Sequence, residues 1–515
     1  MSKLTADALN FARAHIRQFY DSDFFPKPLE FDALWHSWDE VIDYLSANEI
    51  ESLPVSGPRA YAALKPNGTF RIVHQLDPLN SLVYTAMAYM VASELEAIRF
   101  PVEDNVACSY RIIISHDKGE FFADGKGYEK YIERCAELSQ TNAYVLTVDI
   151  ADFYNQIYVH RLENVISQCA QVGSQLSKDL ERFLLSLNGS VSKGIPVGPA
   201  ASILMAEAIM VDVDQFLAGC GVSHTRYVDD IRIFHNSSEE LLQLLERLSL
   251  YLYDTHRLNV SSSKTKIIAS ADFVAEHLNN PDVVEKQQLH ELLANVTSEH
   301  SAYGEMSYIA MEGDVTENLE MQRVVMNDLL EEILSRGVLD LGLARHLLRR
   351  CKKNRIRAIV PGLLENFDFF APVIRDVVLY LDKVTNPRFI EENTTTFSTL
   401  IENSETARLP FVRFWLERYF AENPKYLLDA GIRHYVLESG DICNQATAAL
   451  KSKNIPWVRQ MRTRIDTLGP WEKRAVIIAS QILAKQERLT WLGNLEQHAQ
   501  SKIERWVIRW VRALN

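Results

Sequence analysis

The period of the hydrophobic positions changes part-way along the chain. Up to about residue 270, short apolar runs are interspersed with helical stripes. AYVLTVDI (143–150) is apolar and rich in β-branched residues, the pattern of a buried strand. HTRYVDDIRIFH (224–235) predicts two short strands around a tight turn at paired aspartates, and KTKIIAS (264–270) predicts another strand. Leu162 to Leu187 is helical in pattern, and MSKLTADALNFARAHIRQFY at the start reads as an amphipathic helix.

Beyond about residue 280 strand signals nearly vanish and amphipathic helices follow one another. Met321, Val324, Val325, Leu329 and Ile333 mark one apolar face, with Gly337 as its stop. Phe370, Val373, Ile374, Val377, Val378 and Leu381 mark a second; Ile503, Trp506, Val507, Trp510, Val511 and Leu514 mark a third. Stripes at this spacing predict helix-on-helix core, and their succession suggests a HEAT-like helical array without a strict repeat. The expected fold class is α+β. A helical segment covers 1–54, a mixed domain 55–275, and an all-α domain 276–515.

Composition narrows the class. Hydrophobic content of 47% and charged content of 24% are ordinary for a soluble globular protein. No apolar run approaches the roughly 20 residues a bilayer demands, and the first residues lack the apolar centre of a secretion signal. A cytoplasmic protein with no membrane partner is expected. Cys108, Cys135, Cys169, Cys220, Cys351 and Cys443 show no CxxC spacing, so reduced, mostly buried thiols are expected rather than a zinc site. The net charge of −14 argues against a large nonspecific nucleic-acid face and leaves room for a local basic channel.

Candidate chemistry begins at Asp149, which ends an apolar strand where a carboxylate is costly unless compensated. Taken alone, it reads as a helix N-cap. The pair Asp229–Asp230 sits at a hairpin tip whose flanks are too apolar for a solvated surface turn. If these elements are neighbouring strands, three carboxylates converge and raise one another's pKa until cations join them. Two Mg²⁺ ions (or Mn²⁺) about 4 Å apart would create a phosphoryl-transfer site. Asp149 and Asp229 are the stronger expected ligands, Asp230 a weaker or outer one, and the carbonyl of Ile150 could complete the set.

The order D-x-x-x-F-Y (149–154), G-I-P-x-G-P (194–199), Y-V-D-D (227–230) and then a lysine-bearing strand resembles the palm of reverse transcriptases. FRIVHQLDPLN (70–80) and CSYRI (108–112) resemble that family's two fingers motifs, so the likeness spans roughly residues 55–270. It implies a nucleotidyltransferase with catalytic Asp149, Asp229 and Asp230. It implies dNTP contacts from Arg71, Arg111, Tyr154, Gly194 and Lys264. Tyr154 matches the steric gate that excludes a 2′-hydroxyl. Lys264 matches a proton donor to pyrophosphate, with Lys266 as competitor.

Two departures stand out. Templated members of the family usually carry glutamine before the first glycine of the loop and serine before its second proline; here Lys193 and Gly198 stand there. No clear thumb or RNase H carboxylate set is visible. This combination resembles the bacterial abortive-infection polymerases, and most nearly those of P2-like prophages. That resemblance implies template-independent DNA synthesis primed by a protein hydroxyl in antiviral defence. It also implies a single-stranded DNA product covalently attached to a tyrosine, and a homo-oligomer (trimer or hexamer). Which of the 20 tyrosines would prime is left open, Tyr20 and Tyr44 among them. A templated reverse transcriptase of retron or group II type and a non-catalytic palm scaffold are the alternatives. The basic run RRCKKNRIR (349–357) reads as a solvated helix face or a guide for single strands.

Overall fold

The computed structural model describes residues 2–20, 24–123, 125–169, 173–278 and 319–514. They form two compact units. The first gathers the described residues of Met1–Phe25, Ile42–Arg59 and His74–Asp314; the second gathers those of Pro26–Val41, Ala60–Val73 and Val315–Asn515.

The first unit is built on a four-stranded antiparallel sheet. Its strands are β5 (Tyr144–Asp149), β6 (Ser223–Tyr227), β7 (Asp230–His235) and β8 (Lys266–Ala269), in the order β6-β7-β5-β8. The three stretches expected to be strands are these four. β5 is central, and Val145, Leu146 and Val148 are buried, which explains its unbroken apolar run. Cys108, Tyr131, Cys135, Leu138, Val145, Phe234 and Phe273 form a core that packs the helix Gly127–Thr141 onto the sheet. Two further helices, Pro78–Ile98 and Ala200–Gly219, pack together and are apolar nearly all round, as buried helices are. Asp77 starts the first of them by accepting from Leu79 N–H at 3.1 Å, with Pro78 at the first position. The helical stretch 162–187 is two helices, Val159–Ser167 and Ser174–Leu187.

Two small hairpins precede the sheet in the chain: β1 (Arg59–Leu64) with β2 (Phe70–Gln75), and β3 (Ile112–Ser115) with β4 (Glu120–Phe122). The β1–β2 turn is closed by Lys65 N–H to Thr69 O at 2.8 Å around Gly68, whose φ is +76°.

The second unit is helical apart from residues of the β1–β2 hairpin. The faces expected around Phe370–Leu381 and Ile503–Val511 are buried, Trp510 and Leu514 only half so. The face expected on the helix Leu319–Ser335 is corrected. Val324 and Val325 are exposed, and Met326, Leu329, Leu330 and Ile333 point inward. Apolar residues occupy too many positions of that helix for periodicity to fix its phase. Met321's side chain lies outside the described residues. The two units are not divided at the expected boundaries of 54 and 275 alone. Residues 26–41 and 60–73 belong to the unit that contains 315–515. The helix Glu30–His36 buries Phe31, Ala33 and Leu34 and packs on the helix Lys502–Ala513. Glu30 pairs with Arg474 at 3.2 Å and Glu40 with Arg509 at 2.8 Å. Tyr61 of β1 lies 5.4 Å from Phe414, ring to ring.

Candidate active site

The sheet register brings the acidic residues together. Asp149, last in β5, lies opposite Asp230, first in β7; Asp230 in turn pairs with Tyr227, last in β6. The β6–β7 turn is therefore the two residues Val228 and Asp229. Val228 has φ +57° while Asp229 does not enter the positive-φ region, the pattern of a turn whose first position favours glycine. A β-branched residue there costs on the order of 1–3 kcal/mol and persists only where its surroundings enforce it.

Those surroundings are a buried charge network. Val228 N–H donates to Ser109 Oγ at 2.8 Å, and Val228 O accepts from Arg226 Nη1 at 3.2 Å. Both partners are tied to Glu207 on the helix Ala200–Gly219: Ser109 Oγ donates to Oε1 at 2.6 Å, and Arg226 Nη1 to Oε2 at 2.9 Å. Arg226 Nε also donates to both oxygens of Asp214, at 2.8 and 3.0 Å. Arg99 Nη2 reaches Glu207 at 2.9 Å. The Arg226 side chain is 0% exposed, so its charge stands in the interior only because two carboxylates flank it. Burial opposes ionisation of Asp214, but Arg226 and His224 together bring its carboxyl below the usual range.

The three aspartates differ. The Asp229 carboxyl is pushed up to about 7, first by burial and then by the charge of Asp149. Asp149 Oδ1 accepts from Lys264 Nζ at 2.9 Å. Asp230 is raised by burial despite Arg232, which grips both its oxygens, and Tyr131 Oη donates to Oδ2 at 3.3 Å. Asp230 is thus engaged by Arg232 and Tyr131, whereas Asp149 has the exposed Lys264 as its partner and Asp229 lies within reach of the Asp149 charge. A pair of carboxylates in that state suits divalent cations, and Lys264 Nζ occupies a position that a cation could take.

The remaining expected residues separate. Ile150 follows Asp149 with its side chain buried, bridged to Val260. Tyr154 is half-buried in the short helix Phe153–Gln156, next to the glycine loop. Ile195 N–H donates to Tyr154 O at 3.0 Å and Gly194 N–H to Ile157 O at 2.8 Å. Gly194 has φ +92°, and a Cβ there would lie 3.2 Å from Asn155 O, so the loop closes on this helix only with glycine. Lys266 pairs with Glu276 at 3.2 Å, which leaves Lys264 as the lysine at the carboxylates. Arg71 is exposed on β2. Arg111 pairs with Glu96 at 2.5 Å and donates to the carbonyls of Ala107 and Phe100, contacts that brace the fold.

Ser109, Glu207, Asp214, Arg226 and His74 are not singled out by the sequence reading, although Ser109, His74 and Arg226 lie within the stretches it uses. His74 accepts from Val197 N–H at its ring Nδ1 (3.0 Å) while its backbone N–H donates to Val197 O at 2.8 Å, which pins the glycine loop to the end of β2. Burial lowers its pKa, in keeping with a neutral ring that accepts at Nδ1.

Residues 63–294 match the family model for reverse transcriptase (RNA-dependent DNA polymerase). This stretch is a reverse transcriptase domain. A retron Ec83 reverse transcriptase from Escherichia coli is 21% identical over 182 residues, covering 34% of this chain and 57% of the relative. The chain thus matches little more than half the length of that relative. Among solved structures, telomerase from Candida albicans in complex with the TWJ fragment of telomeric RNA is 11% identical, covering 77% of this chain and 71% of that one, with a TM-score of 0.32. Apo telomerase from Candida tropicalis is 10% identical, covering 74% of each chain, with a TM-score of 0.31. No helix among the described residues of the chain is long and apolar enough to cross a membrane.

Proposed function

We propose that the chain is a DNA polymerase of reverse-transcriptase type, adding deoxynucleotides by phosphoryl transfer at Asp149 and Asp229. The observation that carries this reading is the register Asp149↔Asp230, which sets Asp229 beside Asp149 in a site where its carboxyl rises to about 7. Asp149, Asp229 and the Ile150 carbonyl would hold divalent ions, with Asp230 an outer member held by Arg232. Bound Mg²⁺ would supply charge neutralisation for the triphosphate and a more acidic attacking hydroxyl. Lys264 Nζ, released from Asp149, would give a proton to the departing pyrophosphate. Tyr154, held against the Gly194–Gly198 loop, would abut the sugar and exclude a 2′-hydroxyl. Arg71 would meet the triphosphate.

We read the synthesis as template-independent, primed from a hydroxyl of the protein itself, and serving antiphage defence as a cytoplasmic homo-oligomer with a HEAT-like half in place of a thumb. Lys193 and Gly198 support this, because they replace the residues that templated relatives present to the template. The retron likeness favours a second reading, a templated RNA-directed DNA polymerase. Purified protein with Mg²⁺ and dNTPs, and no added nucleic acid, distinguishes them. A DNA product whose gel mobility changes on protease treatment supports the first reading; product that appears only with an added template and follows its sequence supports the second. In either case Asp229→Ala should lower incorporation by about 1,000-fold or more.

A further inference from the structure

In the helical unit, a cavity of about 640 Å³ is lined by Arg323, Arg355, Arg357 and Lys383, with Thr385 and Asn386 beside them and no acidic residue in its wall. Most arginines of this unit are neutralised: Arg413 by Glu417, Arg459 and Arg462 by Glu487, Arg509 and Arg512 by Glu496. Among the described residues the four cavity cations have no such carboxylate. Four like charges around one cavity, in a chain of net charge −14, repel one another unless an anion joins them.

The cavity is partly organised. Arg357 donates from Nε and Nη2 to Val384 O, at 3.0 and 2.6 Å, and its guanidinium lies 5.4 Å from the Phe389 ring centre. These contacts hold the group in place and leave Nη1 uncommitted. Arg355 stands at φ +51° just past the helix Leu341–Asn354, a position where glycine is usual. The helix Pro387–Asn403 begins at Asn386 and directs its positive end to the same place. A basic residue near a helix C-terminus often only offsets the dipole. That accounts for Arg355 and Lys383 singly, but not for Arg323 and Arg357 converging on them.

We propose that this cavity binds consecutive phosphate groups, those of a single-stranded polynucleotide. The phosphate chemistry follows from the charges; the polynucleotide as its source rests on the polymerase reading. No aromatic side chain lines the cavity, so the grip is on the backbone and independent of sequence.

Fluorescence anisotropy of end-labelled oligo(dT), in EDTA and between 50 and 200 mM salt, tests this on the full chain. Each contact to a single-stranded phosphate contributes roughly 0.7 to the slope of log K against log salt. The double variant Arg355→Ala/Lys383→Ala should therefore bind with a slope shallower by about 1.4. Arg459→Ala/Arg462→Ala, with the same charge change, should match the wild type. Equal slopes for wild type and the cavity variant, an equal change in the control, or no oligo(dT) binding by the wild type would each overturn the proposal. Inorganic tripolyphosphate is the second arm. If it binds the cavity as tightly, phosphate for phosphate, the polynucleotide source falls and a free polyphosphate takes its place. Incorporation assays on the same preparations report separately on the polymerase reading.

Discussion

The Val228–Asp229 turn and the helical cavity handle arginine in opposite ways. At the turn, Arg226 is sealed from water and flanked by Asp214 and Glu207, with Val228 O taking a further donor. At the cavity, Arg323, Arg355, Arg357 and Lys383 converge with no carboxylate in the wall. A buried charge can be kept only if its partners come with it, and such a network holds a shape. Exposed charges without a carboxylate are not neutralised from within, and their field is directed at something that arrives. The difference separates residues that position the site from residues that bind.

Breaking the first network should have the largest effect. Arg226→Ala leaves Asp214 buried with only His224 and Glu207 with only Arg99, and should cost roughly 3–5 kcal/mol in denaturant unfolding. A loss under about 1 kcal/mol would mean the network is wet and the contrast mistaken. The turn itself offers a pH test. The raised carboxyl of Asp229 disfavours the metal-free fold once the group must ionise. The penalty is absent below about pH 4, grows as pH rises towards 7, and is constant above it. In EDTA, Asp229→Asn should be more stable than the wild type by roughly 1–3 kcal/mol at pH 8 and by little at pH 4, with Mg²⁺ closing the gap. A stability difference that does not vary with pH would contradict the pairing of Asp149 with Asp229. Ser109→Ala removes the acceptor of Val228 N–H and should cost about 1–2 kcal/mol, with a fall in kcat larger than any change in KM as the turn relaxes. Smallest of all, Arg355→Ala/Lys383→Ala should leave unfolding within about 0.5 kcal/mol of the wild type. A larger loss would assign those residues to the fold.

The legible parts of the molecule were those with local signals. The β5 run, the aspartate pair between apolar strands and the glycine loop each carry their physics within a dozen residues, so their elements could be read directly. Gly194 has a left-handed backbone and a close neighbour, both of which demand the residue seen there. The turn's support was not legible. Ser109, Glu207 and Arg226 are far apart in the chain, and an arginine within a strand looks like a surface residue until its partners are known. Arg111 carries a contact its motif did not signal: in this structure it is paired with Glu96. The phase of Leu319–Ser335 was lost because Val324 and Val325 extend the apolar run of Met326, Leu329 and Ile333 onto the exposed side.

The interleaving of the two units bears on how the chain is made. The helix Glu30–His36 emerges from the ribosome early, yet its apolar face packs on Lys502–Ala513 and its Glu30 on Arg474, which are synthesised hundreds of residues later. Until then Phe31 and Leu34 wait uncovered, and residues 60–73 wait for Phe411 and Phe414. Vectorial synthesis therefore leaves residues 26–41 and 60–73 without the rest of their own unit until the C-terminal helices are made. A nascent chain halted before Lys502 would hold sticky early segments and depend on a chaperone to stay soluble.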